Sequence, residues 1–157
     1  MGNVIKSATI PPQSTITEGF GPVDYYDIYT IGVQTRQCAE EIAKEVMVMP
    51  YWVELLFGLR NRVVGIFGLK TGRSAPKSDT FFTTIENRED EIVMGEDDKH
   101  LNFRASILKE ESENRVSLIT VVHYNNIWGR VYFFPVKPFH KVIMRILLRQ
   151  YLKKHTI

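Results

Sequence analysis

Between Gly95 and Arg104 the chain reads Gly95-Glu96-Asp97-Asp98-Lys99-His100-Leu101-Asn102-Phe103-Arg104, an acidic turn running into an apolar alternation that an imidazole and a guanidinium interrupt. Charged side chains in a half-buried strand are costly unless paired, so two of them mark either a polar pocket or a structural ion pair. In an extended strand His100, Asn102, Arg104 and Ser106 share one face, and Leu101, Phe103, Ala105 and Ile107 the other. With the polar face on a concave side, His100 and Arg104 reach into a cavity and hold an anionic or carbonyl-bearing ligand, Arg through its planar fork of donors. With that face outward, both are solvated or paired. Asp98 is the neighbour that would orient His100 as a general base. Proton transfer needs heavy atoms about 3 Å apart, however, and residues two apart on a strand are farther than that unless the turn curls back. Asp97 and Asp98 also suit a tight turn, where the side chain bonds the local backbone.

The remaining candidates are fewer. His140 follows Pro138-Phe139 and either caps free backbone groups or faces a cavity mouth. With His123 and His155 it completes a set of four histidines that has no i, i+4 pair and no cysteine beside it, so neither a metal nor a cofactor is expected. Cys38 is the only cysteine, which excludes an internal disulfide framework and suits a reducing compartment; no charged leader with an apolar core opens the chain, and a cytoplasmic location is expected. Trp52, Trp128, Tyr132, Phe133 and Phe139 are expected in the core, where full burial contributes about 1.5 to 3 kcal/mol each, or as pocket walls around a void. No glycine-rich phosphate loop, serine-nucleophile motif or nucleic-acid module occurs, and interleaved acids argue against a broad basic face.

These residues need elements to position them. The 157 residues suit one domain with a real core, and 44% hydrophobic with 24% charged content is ordinary for a globular protein. Residues 1–22 carry Pro11, Pro12, Gly19, Gly21 and Pro22 and read as an extended arm, with the domain over 23–157. Tyr25 to Ile31 reads as a strand. From Thr35, a plausible N-cap, Ala39, Ile42, Ala43 and Val46 mark an amphipathic helix to about 48. Trp52, Leu55, Leu56 and Leu59 begin a second helix that runs to Gly68. Thr80–Ile85, Ile92–Met94, Leu101–Leu108 and Val116–Tyr124 are β-type runs separated by short polar breaks, which makes an antiparallel meander. Tyr132, Val136, Phe139, Ile143, Ile146 and Leu147 follow a helical face, with Pro135 and Pro138 implying a kink. Lys141, Arg145, Arg149 and Lys153 lie opposite. Residues 137–157 hold six Lys or Arg and no acid, and cations there suit a helix C-terminus. Charges interrupt this helix too often for a membrane span.

That order is the helix-grip layout: an α+β fold in which a curved antiparallel sheet of five to seven strands wraps a long C-terminal helix, with two short helices after strand one. Three motifs go further. Pro50-x-Trp52-x-x-Leu55-x-x-x-x-Arg60, the stretch from Gly95 to Arg104, and Gly129-Arg130-x-Tyr132 followed by Pro138-Phe139-His140 together resemble the domain of unknown function family 2867, of the START-like (Bet v 1-like, SRPBCC) superfamily. The likeness covers about residues 23–152. It implies a helix grip with an internal pocket, and relatives that sometimes join this domain to a nucleotide-binding, dehydrogenase-like one. It carries no established catalytic residue onto this chain. The expected function is therefore binding of a mostly apolar or amphipathic small molecule between sheet and last helix. The expected lining is His100, Arg104, Asp98 and Asn102 with Trp52, Arg60, Tyr132, Phe139 and His140. One alternative is a cyclase, dehydratase or hydrolase using His100 or His140 as acid or base. Another is a protein-interaction module working through the basic face of the last helix.

Overall fold

The computed structural model describes residues 2–48, 50, 51, 55 and 82–156. Within them, six antiparallel strands form one curved sheet: β1 (Ile5–Ser7), β2 (Tyr25–Gly32), β3 (Thr83–Asn87), β4 (Glu91–Asp97), β5 (Leu101–Glu110) and β6 (Arg115–Tyr124). Their order across the sheet is β1-β2-β6-β5-β4-β3. Helix α1 (Ala39–Val46) follows β2, and the 29-residue helix α2 (Ile127–His155) closes the chain. This is the expected α+β, helix-grip layout. The second short helix expected from Trp52 lies outside the described residues, as do Trp52 and Arg60 themselves.

Both faces of the sheet are covered. On one, Tyr29, Ile31, Ile92, Met94, Ile107 and Leu118 meet Ile42 and Val46 of α1 and Leu147, Leu148 and Tyr151 of α2. On the other, Ile28, Val93, Leu108, Ile119 and Val121 are buried beneath Ile16 and Phe20 of the N-terminal segment, with Ile10 beside them. Strand β6 is buried from Val116 to Val122, a β-branched-rich run suited to a central strand covered on both sides.

The N-terminal segment is therefore more than an extended arm. Ile5, Lys6 and Ser7 pair with Thr30, Tyr29 and Ile28. A Cβ on Gly2 would meet the methyls of Leu152 on α2, and Val4 packs on the helix-side core. After Ser7 the chain crosses to the outer face and bends through Gly19 and Gly21, both at positive φ, where glycine carries no steric penalty. The buried Glu91 carboxylate fastens it there. It accepts from the Ser14 hydroxyl (2.5 Å), the Thr15 amide (2.8 Å) and hydroxyl (3.1 Å), the Ser106 hydroxyl (2.5 Å) and Arg88 (3.3 Å). A buried charge with five donors is satisfied, and the strong bonds belong to the charged acceptor.

Three boundaries differ from expectation. Helix α1 starts later, with Cys38 at the N-cap and its amide donating to the Glu41 carboxylate (2.9 Å); Thr35 instead accepts from the Gln37 amide in a local turn (3.2 Å). Strand β4 runs past Met94 because Gly95, Glu96 and Asp97 still pair with Arg104, Phe103 and Asn102. Helix α2 begins at Ile127, five residues before Tyr132, and runs through Pro135 and Pro138. The two amides that proline removes would have served the carbonyls of Val131 and Phe134. Both residues are solvent-exposed, so water can take that role.

Candidate functional site between the sheet and the last helix

Strand β2 places an acid where its apolar alternation faces α2. Asp27 shares the face of Tyr29 and Ile31, yet its carboxylate is 1% exposed. It survives there because it is paired: the Tyr25 hydroxyl donates to Oδ2 at 2.7 Å, and His140 on α2 brings Nε2 to 3.1 Å from Oδ2 and 3.3 Å from Oδ1. With two carboxylate oxygens as neighbours, Nε2 carries the hydrogen. That leaves Nδ1, which has no partner among the described residues, as the nitrogen able to accept a proton. The His140 side chain is itself only 15% exposed.

Beside this trio the Thr120 Oγ1 hydroxyl is buried without a hydrogen-bond partner among the described residues, while the buried Tyr29 hydroxyl has the Arg145 guanidinium approaching it as a donor. Thr120 is the direct cross-strand partner of Asp27, and Tyr29 is the next residue along the same face of β2. A buried hydroxyl without a partner is uncommon, and Thr120 calls for an acceptor or donor that the described residues do not supply. Above them sits an aromatic corner. Tyr25 meets Phe133 edge-on with centroids 5.0 Å apart, Tyr124 lies 6.0 Å from Phe133, and Lys137 holds its ammonium 4.9 Å from the Tyr25 ring.

The site is electrostatically biased toward neutral phenols. Burial, then the hydrogen bond to Asp27, then the nearby negative charge push the Tyr25 hydroxyl far above the ordinary tyrosine range. Tyr29 is raised by burial and by Asp27, against which Arg145, 5.5 Å over its ring, works through its charge and a hydrogen bond to the hydroxyl. Tyr124 is raised by burial and by Asp24, with Arg130 opposing. Each phenol therefore remains a donor at neutral pH.

The residues expected from sequence separate into three places. Arg104 is on the opposite face of the sheet: its guanidinium donates to the carbonyls of Ile16 (3.1 Å) and Glu18 (2.6 Å) and lies 5.1 Å from the Phe20 ring centroid. This corrects the expectation that Arg104 reaches a chamber under the last helix, because the face it shares with Ser106 is the one the N-terminal segment covers. His100 lies in the β4–β5 turn and serves the start of α2. Asn126 caps that helix, its Oδ1 accepting from the amides of Trp128 (3.1 Å) and Gly129 (3.2 Å), so its amide nitrogen is left to donate to His100 Nδ1 at 2.8 Å. Asn125 donates both to the Asp98 carbonyl (2.8 Å) and to Asn102 Oδ1 (2.9 Å), while Asp98 uses its carboxylate on the Lys99 amide (2.6 Å), away from His100. A Cβ on Gly129 would collide with the His100 carbonyl oxygen, so two of the three motifs meet as a backbone lock. Tyr132 is half-buried on α2, whereas Phe139 and Trp128 are exposed on its outer side and are not core. Of the expected residues that the structure describes, His140 joins the Asp27 cluster.

Sequence reasoning missed Tyr25, Asp27, Tyr29 and Thr120. The signal was available, since an acid inside Tyr25-Tyr26-Asp27-Ile28-Tyr29 is the same anomaly that singled out His100 and Arg104. No group of three or more metal-ligating side chains occurs among the described residues. A separate groove of about 230 Å³ lies at the far end of the sheet, between residues 33–36 and the β5–β6 hairpin, and shares no residue with the cluster.

The family model described as Protein of unknown function (DUF2867) matches residues 20–147. The chain belongs to this family. No curated protein and no solved structure is significantly similar to it.

Proposed function

We propose that the protein binds a small, mostly apolar molecule carrying one hydrogen-bonding group between the sheet and α2, as START-like helix-grip proteins would. The polar end is held by Tyr25, Asp27 and His140 in place of the expected His100 and Arg104. The observation that carries this reading is the buried Asp27–His140 pair with the unpartnered Thr120 hydroxyl and the buried Tyr29 hydroxyl on the same face. Buried polar groups without partners inside an otherwise apolar layer favour a ligand that brings the missing partner and buries its remainder against Phe133 and Tyr124.

Thermal shift and native mass spectrometry with a panel of fatty acids, phenols and aromatic carboxylic acids test it. A ligand at a hundred times its Kd adds about 2.7 kcal/mol, which for a chain of this size raises Tm by roughly 5 to 10 °C. The Tyr29→Phe and Thr120→Val variants, which remove these two hydroxyls, should weaken binding about tenfold while leaving the fold intact. No shift with any member of the panel, or equal shifts in all variants, would remove the proposal.

A second reading is favoured by the tautomer. Asp27 fixes Nε2–H and leaves Nδ1 free, the arrangement of a general base oriented by a carboxylate, so His140 is the acid or base if the protein is an enzyme of the cyclase, dehydratase or hydrolase kind. His140→Asn then abolishes turnover while ligand binding falls only modestly, which separates this reading from binding alone.

A further inference from the structure

Helix α2 presents its first half to solvent as an apolar row. Ile127, Val131, Phe134 and Val142 succeed one another at steps of four, three and eight residues, which keeps them on one side of the helix, with Trp128 and Phe139 flanking them, and all six are at least half exposed. Phe134 is 78% exposed and Trp128 62%. The row spans about 22 Å at 1.5 Å per residue. Single exposed apolar residues are ordinary, but a contiguous patch containing a tryptophan and two phenylalanines marks an interaction surface. Further along the same side the row turns basic, through Arg149 and Lys153, with Lys141 beside it. From Asn114 to Ile157 the chain contains no Asp or Glu. Near the helix start, Asp98 belongs to the turn that Gly129 faces, across the helix from Val131, and Asp24 is held by His123 and the Tyr124 amide.

We propose that this side of α2 docks on an anionic lipid surface, with the aromatic row inserted at the level of the headgroups and the lysines and arginines against the lipid phosphates. Aromatic and branched side chains in line with cations, on a helix side with no acid, match the interfacial layout of a peripheral protein. The same helix is not long and apolar enough to cross the bilayer, so it lies on the surface. The aromatic row is separate from the Asp27–His140 cluster, and the proposal stands whether or not a ligand binds there.

Co-sedimentation of the full chain with vesicles of phosphatidylcholine alone, and with about one-third phosphatidylserine, reads it directly. Partition onto the anionic vesicles should exceed that onto neutral ones by at least about tenfold and collapse in high salt, where the screening length is roughly 3 Å. The double variant Arg149→Glu/Lys153→Glu and, separately, Phe134→Ser should each lower partition by about tenfold or more. Phe134 is so exposed that its replacement should leave the circular dichroism spectrum and Tm unchanged, which separates lost docking from lost folding. Absence of sedimentation with anionic vesicles, or equal sedimentation of wild type and both variants, overturns the proposal. So does a wild-type dimer in size-exclusion chromatography that Phe134→Ser makes monomeric without any vesicle binding, since the row would then serve a second copy.

Discussion

The bond between Asp27 and His140 joins residues that are 113 positions apart and ties the last helix to the sheet. Replacing His140 by alanine leaves a buried carboxylate with Tyr25 as its one remaining donor among the described residues. Hydrogen bonds to charged groups are each worth about 1.5 to 3 kcal/mol, and breaking a buried pair from one side costs about 3 to 5 kcal/mol. Because Tyr25 still donates at 2.7 Å, the lower end applies, and His140→Ala should cost about 2 to 3 kcal/mol. At this chain length that is a Tm decrease of roughly 5 to 10 °C. Asp27→Asn removes the charge while keeping an acceptor for Tyr25, so it should cost about 1 to 2 kcal/mol. In the Asp27→Asn background, His140→Ala should then cost only its lost packing, about 1 kcal/mol, giving a coupling of about 1 to 2 kcal/mol. Urea denaturation of the four proteins at neutral pH, with m-values compared to confirm a common unfolded state, measures this cycle. Additivity within about 0.5 kcal/mol would show that the two side chains do not act together and would refute the argument built on them.

Burial raises the pKa of Tyr25, Tyr29, Tyr124 and Tyr151 in the folded protein, so their contribution to stability is whole below about pH 10 and is lost as the pH climbs through the folded values. Tyrosinate absorbance should therefore grow together with loss of circular dichroism, and full ionisation of a still native protein near pH 11 would contradict this. Glu91→Ala strands the donors of Ser14, Thr15 and Ser106 and should cost about 3 kcal/mol while exposing the N-terminal segment to limited proteolysis. A segment as resistant as in the wild type would show that Glu91 does not hold it. Gly129→Ala sets a methyl against the His100 carbonyl and should destabilise by about 1 to 3 kcal/mol, even though alanine is the better helix former. A gain in stability would mean the helix start and the turn are not in contact.

The meander was legible because its breaks are polar and short, and the last helix because an apolar face recurs from Tyr132 to Tyr151. Alternation placed Arg104 and Ser106 on one face but could not say which layer covers it. The apolar side chains that do so, Ile10, Ile16 and Phe20, sit in a proline- and glycine-rich stretch with no periodicity to reveal them. Of the candidate site, His140 was recognisable as a titratable group at a helix kink. Its partner was not, since nothing local links Asp27 to it. The aromatic residues of α2 were expected inside. Phe133 is, while Trp128 and Phe139 are on the outer side, because the helix starts earlier than its apolar pattern indicated and its first half is apolar on both sides.

The strap formed by residues 10–20 has a bearing on how the protein behaves in a crowded solution. Under it lie Ile28, Val93, Ile119 and Val121, a dry β-branched panel of the kind that recruits strands from other molecules once uncovered. How readily copies stick to one another thus depends in part on Glu91 and Arg104, which fasten Ser14, Thr15, Ile16 and Glu18 over that panel.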